Sequence, residues 1–208
     1  MKPELHERKW EIDSLCYAVR LAHGYWKATG DASCFDAEWQ AAARLIVKTF
    51  REQQRLKDRG PYTFQRVTAV ASDSLNHEGY GNPTRPCGLI HSGFRPSDDA
   101  CEFPFLIPAN LFAVKSLEQL RDIWLAEMPD KTFARDCQSL AAEVSEAVHA
   151  YGRAKKAKFG EVWAYEADGF GNQLFMDDAG VPSLIALPYL GCAELDDPVY
   201  RATRAMVL

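Results

Sequence analysis

The chain has 208 residues, of which 47% are hydrophobic and 12% aromatic, so it can bury one ordinary hydrophobic core. Its formal net charge of -5 and its pI near 5.6 exclude the basic surface that a nucleic-acid backbone requires. No apolar run approaches the roughly 20 residues of a membrane-spanning helix. The first residues, MKPELH, have no apolar segment behind their charge, so the sequence predicts neither a membrane partner nor a targeting signal.

Six cysteines are scattered along the chain, with no Cys-x-x-Cys pair and no histidine at metal-ligand spacing. We therefore predict no metal site. Cys16 and Cys137 fall within predicted helices, where a buried thiol acts as a small apolar group. This cysteine usage favours the cytoplasm over export, although an even number is also compatible with disulfides in a secreted protein.

Two helices are predicted in the first third of the chain. Apolar residues recur at helical spacing over residues 10–29, and Gly30 follows as a C-cap. Asp36 is a predicted N-cap for the second helix, which extends to the Gly-Pro pair at residues 60–61. The predicted apolar face of the first helix consists of Ile12, Leu15, Cys16, Val19, Ala22 and Trp26.

A third and a fourth helix follow a long loop. Pro108 begins the third helix, which ends near residues 128–129. Asp130 caps the fourth helix, over residues 131–151, and Gly152 ends it.

The last quarter of the chain is predicted to contain a β-hairpin. Residues 153–158 are rich in lysine and arginine and indicate a solvated linker. Residues 162–167 alternate as a strand, and residues 169–172 (GFGN) supply the turn. Two helical stretches follow at residues 183–190 and 199–208.

The fold class predicted from these elements is all-α dominated, an α/α toroid with a small β-hairpin insertion. The alternative is an up-and-down bundle, but bundles connect their helices through about two to eight residues. The loop of residues 73–108 is much longer. In a toroid such loops gather around one mouth of the ring, where polar residues from distant parts of the chain meet.

The most conspicuous part of the long loop is residues 94–100 (FRPSDDA), which place Arg95 close to the adjacent carboxylates Asp98 and Asp99. Two neighbouring carboxylates cannot share one environment, so we expect their pKa values to differ. Such charge density outside a helix is typical of a functional site. The alternative is that Ser97 or Asp98 caps a turn and Arg95 forms a surface ion pair.

Other carboxylate and amide side chains lie beside aromatic residues in the sequence, in three more clusters. Carboxylates and amides that accept from hydroxyl groups, next to flat apolar rings, are typical of a sugar site. The same residues are also compatible with a first-turn charge on a helix or with caps of turns and helices. The clusters are Asp13 near Trp10; Glu166, Asp168 and Asn172 near Tyr165 and Phe170; and Asp177 and Asp178 near Phe175.

Five segments of the chain, in matching order, resemble glycoside hydrolase family 125: residues 7–17, 94–100, 106–114, 165–172 and 176–184. The resemblance implies an (α/α)6 barrel and a metal-independent, exo-acting α-1,6-mannosidase that inverts the anomeric centre. It also implies an α-mannoside oligosaccharide or glycan as partner, and no cofactor. Hydrolysis of a glycosidic bond requires two carboxyl groups.

The resemblance also implies roles for individual residues. Asp98, the first aspartate of the RPSDD motif, corresponds to the proposed general acid of the family. Two positions depart from the family pattern, because Gly180 replaces the usual Asn and Ala167 the usual Val. The remaining site residues are expected to bind substrate: Asp13, Arg95, Asp99, Glu166, Asp168, Asn172, Asp177 and Asp178.

Members of the family are about twice as long as this sequence. Their N-terminal Trp-Leu-Arg-Asp-Ser motif is absent from it. Their C-terminal His-Glu motif, which supplies the proposed general base, is absent as well, because the His-Glu pairs at residues 6–7 and 77–78 do not follow the five segments. We therefore expect residues 1–208 to be the central part of a single (α/α)6 catalytic domain, an incomplete ring in which the apolar face of the first helix lacks partners and which is inactive alone. The alternatives are a non-catalytic carbohydrate-binding remnant and a helical toroid of unrelated chemistry, such as a sugar epimerase.

Overall fold

A computed structural model describes residues 8–208 of the chain. Helices dominate this part, as predicted, and the long helices at the first, third and fourth predicted positions are confirmed. The helices are α1 (Ile12–Thr29), α2 (Ala37–Gln53), α3 (Asn76–Gly79), α4 (Ile107–Glu127), α5 (Thr132–Tyr151), α6 (Leu187–Leu190) and α7 (Pro198–Val207), with a 3-10 turn at Ala71–Asp73.

Helix α4 is the centre of the core and packs against both α5 and α1. Pro108 lies in its first turn, where the missing backbone N–H costs no helical hydrogen bond. Near its other end, the ring of Trp124 stacks on Trp39 from α2 and lies 4.4 Å from the ring of Phe133 of α5. Three helices are thus joined through one aromatic cluster.

Helix α1 has two apolar faces, and the sequence prediction chose the wrong one as unpartnered. Ile12, Cys16 and Val19 from the predicted face are buried in the core. The apolar side chains that remain exposed are Tyr17, Leu21 and Tyr25, which recur every four residues and therefore form one stripe.

Helix α2 ends at Gln53, seven residues earlier than predicted. The reason is tertiary: Gln53 and Gln54 are fully buried, and the Gln54 side chain donates to the carbonyl of Gly88 and to Glu143 at 2.8 Å each. Arg55 follows with φ 55°, in the left-handed region, so the helix cannot continue through it.

The β-structure consists of two small sheets rather than one hairpin, so the predicted strand 162–167 is divided. In the first sheet, β2 (Arg153–Lys156) pairs with β3 (Gly160–Trp163). In the second, β4 (Glu166–Ala167) lies between β1 (Phe105–Leu106) and β5 (Gln173–Leu174).

Strand β2 was predicted to be a solvated linker, and this prediction was wrong. Its cationic side chains lie on aromatic rings, with the Arg153 guanidinium 4.3 Å from the ring centroid of Trp163 and the Lys156 ammonium 3.2 Å from that of Phe175. Long cationic side chains can thus cover apolar surface, which a charge pattern does not reveal.

The long loop packs into the core instead of covering the surface. Leu89, Ile90 and Phe94 are fully buried. Asn110 of α4 holds this segment, because its side chain accepts from the Ile90 N–H at 2.8 Å and donates to the Ile90 carbonyl at 3.0 Å. The segment that leads into residues 94–100 is therefore held firmly against α4.

The predicted helical stretch 183–190 is helical only at Leu187–Leu190. The N–H groups of Leu184 and Ile185 donate instead to the carboxylate of Asp177, at 2.7 and 2.9 Å. Helix α7 was predicted within two residues of its observed bounds, and it packs on β3, where Thr203 accepts from the N–H of Trp163.

Candidate active site

The centre of the candidate site is an ion pair between Arg95 and Glu166, from segments far apart in the sequence. Arg95 Nε donates to Glu166 Oε1 at 2.6 Å, and the N–H of Phe103 donates to Oε2 at 2.9 Å. Glu166 is fully buried on the middle strand, β4. Burial alone would lower the pKa of Arg95, but the hydrogen bond and charge of Glu166 raise it overall. Arg95 is therefore held as a cation and fixed in place by this contact.

This pair is a buried one and not the surface ion pair that we considered for Arg95. Only Nε of the guanidinium is used by Glu166, and its terminal nitrogens donate to no other side chain within residues 8–208. The Arg95 side chain is 15% exposed. Its outer N–H groups are consequently available to an acceptor on a ligand.

Asp98 lies at the tip of a tight turn built on Arg95. The N–H of Asp98 donates to the Arg95 carbonyl at 2.9 Å, and the N–H of Arg95 donates to the carbonyl of Asp99 at 2.8 Å. Asp98 has φ 68°, a left-handed conformation that is strained for a non-glycine residue. Its side chain is 72% exposed, so the carboxylate that was predicted as general acid faces the solvent.

Lys9 contacts Asp98 from the side, a contact that the sequence reasoning missed. Its ammonium is 3.3 Å from Asp98 Oδ1 and 4.8 Å from the centroid of the Phe94 ring, and its side chain is only 7% exposed. Lys9 precedes Trp10 and Asp98 follows Phe94 in the sequence, and these two buried aromatics are the signal that could have placed the two segments together.

Asp178 joins a second loop to the same turn. Its Oδ2 accepts from Ser97 Oγ at 2.5 Å and from the Tyr165 hydroxyl at 3.4 Å, and its Oδ1 accepts from the N–H of Gly180 at 3.2 Å. Partial burial would raise the pKa of Asp178, but the hydrogen bonds from Ser97 and the Gly180 N–H and the charge of Arg95 lower it overall. Asp178 is therefore an ionised carboxylate next to the Arg95–Glu166 pair.

Gly180 lies so close to this turn that a side chain does not fit. A Cβ atom there would be 2.8 Å from Cβ of Pro96 and 3.1 Å from its carbonyl carbon. The replacement of the usual family Asn by Gly180 thus accompanies a direct contact between the two loops.

Asp13 contributes a buried carboxyl group from the first turn of α1. It is 5% exposed, its Oδ1 has no hydrogen-bond partner within residues 8–208, and burial, with a further contribution from Glu11, raises its pKa to about 7. One turn later the Tyr17 hydroxyl donates to the carbonyl of Val181 at 2.6 Å. The start of α1 is therefore connected to the loop that contains Asp178.

Three predicted binding residues use their side chains to hold turns. Asp168 accepts from the N–H groups of Phe170 and Asn172, at 2.8 and 3.0 Å, and from the Asn172 side chain at 2.6 Å. Asp177 caps the start of the segment after Pro182, and burial raises its pKa. This is the capping role considered as the alternative for Asp177, and sugar binding by these three residues stays a prediction.

The aromatic rings next to the carboxylates are mostly core residues rather than exposed platforms. Trp10, Phe94 and Tyr165 are buried, and Trp10 stacks on Tyr62 at 5.3 Å between ring centroids. Phe170, which is 61% exposed, is the ring of these clusters that is open to a ligand.

A family model described as "Metal-independent alpha-mannosidase (GH125)" matches residues 1–208. The chain belongs to glycoside hydrolase family 125. Glycoside hydrolase family 125 is the family that the five sequence segments resemble, so that prediction is confirmed, as is an (α/α)-type fold.

Two relatives of this family 125 chain span most of it. One is a Streptococcus pneumoniae protein whose solved structure is described as belonging to a family of metal-independent alpha mannosidases, in a non-productive substrate complex with alpha-1,6-mannobiose. It is 41% identical, has a TM-score of 0.93, and the match covers 97% of this chain and 48% of that one.

The second relative is the meiotically up-regulated gene 157 protein of Schizosaccharomyces pombe, which is 41% identical over 211 residues. The match covers 97% of this chain and 41% of the relative. The family 125 chain thus spans less than half the length of each of these two relatives.

Three further properties concern only the part of the chain that the structure describes. All six cysteines are free thiols. No three His, Cys, Asp or Glu side chains among residues 8–208 are grouped closely enough to hold a metal ion. No helix in that range is both long and apolar enough to span a bilayer.

Proposed function

We propose that this chain supplies the general acid and part of the sugar-binding site of an enzyme that removes terminal, non-reducing α-1,6-linked mannose from an oligosaccharide or glycan. Family membership supports the reaction class, and the mannobiose bound to the related Streptococcus pneumoniae protein supports the substrate class. The observation that carries the proposal is the exposed Asp98 on a turn whose base is fixed by the buried Arg95–Glu166 pair.

The proposed reaction proceeds with inversion and without a metal ion. The protonated carboxyl group of Asp98 donates its proton to the glycosidic oxygen while the bond to the anomeric carbon breaks. A second carboxylate accepts a proton from water, and the water oxygen attacks the anomeric carbon from the opposite face. The two carboxyl groups then stand roughly 6.5–9.5 Å apart, with the water between them.

The neighbouring residues are proposed to bind the mannose hydroxyl groups. The outer N–H groups of Arg95 can donate, and the ionised carboxylate of Asp178 can accept. Asp13 combines a buried carboxyl group with a pKa of about 7, so near neutral pH it can either donate or accept. Asp99, beside the acid, completes the set.

We also propose that residues 1–208 form the central part of one (α/α)6 domain. The support is the stripe of Tyr17, Leu21 and Tyr25 on α1, because exposed apolar residues in a row usually mark a contact surface. The family pattern has its proposed general base in a His-Glu motif on the C-terminal side of the five segments, and no His-Glu pair follows those segments in this sequence. The 208-residue chain alone is therefore expected to release no mannose from α-1,6-mannobiose.

The test compares Asp98→Asn and Asp99→Asn in a polypeptide that contains this chain together with the two missing family motifs. Asp98→Asn should lower turnover of α-1,6-mannobiose by at least about a hundredfold, the low end of general-acid contributions. An aryl α-mannoside whose leaving group needs no proton should lose much less. Asp99→Asn should have the smaller effect on mannobiose.

The other outcomes discriminate between functions. Equal losses on both substrates would remove Asp98 from the role of general acid. Proton NMR should detect β-mannose as the first product, and α-mannose would overturn inversion. Binding of mannobiose without hydrolysis by the unmutated polypeptide would favour the non-catalytic carbohydrate-binding remnant.

A further inference from the structure

A pocket lies between the end of α2 and residues 77–86, and none of its lining residues belongs to the candidate active site. Its volume is about 340 Å³. Four of the side chains around it are basic: Arg55, Lys57, Arg59 and His77. This concentration is not a consequence of overall charge, since the chain has a formal net charge of -5.

The half-buried guanidinium of Arg55 has no acidic partner. It donates to the Tyr80 carbonyl at 3.1 Å and to the side-chain oxygen of Gln53 at 3.4 Å. No carboxylate within residues 8–208 forms an ion pair with it. Burial, against an opposing contribution of Tyr80 and with a smaller one of nearby Arg59 in the same direction, lowers the pKa of Arg55 to about 10. A half-buried cation without a counter-charge is costly unless an anion binds it.

The other charges around the pocket leave a cationic surplus. Arg59 is already paired with Glu78 at 2.8 Å, and its guanidinium lies 4.1 Å from the centroid of the Tyr80 ring. Asp58, an acidic residue in the wall, accepts from the N–H of Gly60 at 2.8 Å. Lys57 is exposed and forms no ion pair within the described range. With Arg59 paired to Glu78, the two cations Arg55 and Lys57 face the single carboxylate of Asp58, which leaves a surplus of one positive charge.

The backbone around the pocket is strained. Arg55, His77 and Glu78 have φ angles of 55°, 51° and 63°. They are three of the four non-glycine residues with positive φ between residues 8 and 208, and the fourth is Asp98 of the candidate active site. Strain of this kind is costly and is concentrated at functional sites.

We propose that this pocket binds a tetrahedral oxyanion of the phosphate class, with Arg55 and Lys57 as its charge partners. The planar fork of N–H groups in arginine matches two oxygens of a phosphate. The volume lies at the lower end of small-molecule sites, so a phosphate monoester of monosaccharide size fits as well as the free ion.

The experiment titrates the 208-residue chain by calorimetry with inorganic phosphate, with mannose 6-phosphate, and with uncharged mannose. Saturable binding of the phosphate-containing probes at concentrations up to about 10 mM is expected. Tighter binding of mannose 6-phosphate than of phosphate would identify a phosphorylated sugar as the ligand, and equal binding would identify the free ion. Absence of saturable binding by both would overturn the proposal.

Variants then test the residues. Arg55→Gly removes the cation and also relieves the positive φ, and it should weaken binding by about tenfold or more, the value of a charge-assisted hydrogen bond. Lys57→Gln, an exposed substitution that leaves the fold intact, should weaken it by about threefold. Lys48→Gln removes an equal charge from α2 outside the pocket and should change nothing. If Lys57→Gln and Arg55→Gly bind phosphate as tightly as the Lys48→Gln control does, the proposed site is refuted.

Discussion

In the turn of residues 168–172, the carboxylate of Asp168 accepts three hydrogen bonds from the turn itself, whereas in the turn of residues 95–99 the carboxylate of Asp98 faces the solvent. The second turn is stabilised by residues outside it, through the buried Arg95–Glu166 pair and the Ser97–Asp178 hydrogen bond. A carboxylate that holds its own turn has little capacity left for a ligand, but one on a separately supported turn keeps it. Asp168 and Asp98 look alike in the sequence, but in the structure the first stabilises its own turn and the second is free to contact a ligand.

The largest effect is expected from breaking the support of the 95–99 turn. Glu166→Gln keeps the shape of the side chain but leaves Arg95 without its buried counter-charge, so the free energy of unfolding should fall by about 3–5 kcal/mol. Urea denaturation measures this loss. The matched control is Glu161→Gln, in the more exposed Arg153–Glu161 pair, which should cost no more than about 1 kcal/mol. Equal small losses in both variants would mean that Arg95 and Glu166 do not hold the turn.

The candidate site also contains a carboxyl group that is expected to destabilise the fold when it ionises. The pKa of Asp13 is about 7 in the folded chain against about 3.9 in an unfolded one. The protonated form is thus favoured by folding, and stability should fall as the pH rises from about 4 to about 7.

Asp13→Asn removes this titration. The difference in free energy of unfolding, variant minus original chain, should therefore increase as the pH rises from about 4 to about 7. The increase should reach up to about 4 kcal/mol, because each unit of pKa difference contributes about 1.4 kcal/mol. Urea denaturation at a series of pH values gives the difference curve. If the curves of the two proteins run parallel between about pH 4 and about pH 7, the window set by the two pKa values, a buried and ionisable Asp13 is contradicted.

The sequence was most informative where local signals and tertiary structure agree. The helical spacing of α1, α4 and α5, with Gly30, Pro108 and Gly152 at their ends, was enough to predict them. The prediction of the end of α2 failed, because Gln54 forms its buried hydrogen bonds with residues far along the chain.

For the candidate site, the resemblance to the family identified the segments but not their pairing. Arg95 and Glu166 are 71 positions apart, and nothing in either segment specifies the other as its partner. The same limit applies to Asp168 and Asp178, since both are aspartates close to aromatic residues and only the structure separates a turn-holding carboxylate from one that joins two loops.

A smaller effect is expected from breaking the turn that holds itself. Asp168→Ala removes three hydrogen bonds to one carboxylate and should lower the free energy of unfolding by about 2–3 kcal/mol. Hydrogen exchange should accelerate first at the amides of Phe170 and Asn172. In a longer polypeptide with mannosidase activity, the loss of activity should be smaller than that of Asp98→Asn. If a folded Asp168→Ala variant loses as much activity as Asp98→Asn does, Asp168 takes part in the active site and does not only stabilise its turn.

The smallest effect is expected at Lys9, which touches the exposed side of the 95–99 turn. Its ammonium is 3.3 Å from Asp98, but that carboxylate is 72% exposed, and ion pairs with such a partner contribute about 0–1 kcal/mol. Lys9→Met keeps an unbranched apolar side chain against the Phe94 ring and removes the charge together with its hydrogen bonds to Asp98. Urea denaturation should therefore show a loss of no more than about 1 kcal/mol. A loss as large as that of Glu166→Gln would mean that Lys9 stabilises the turn from its exposed side. The 95–99 turn would then depend on this lysine as much as on the buried Arg95–Glu166 pair.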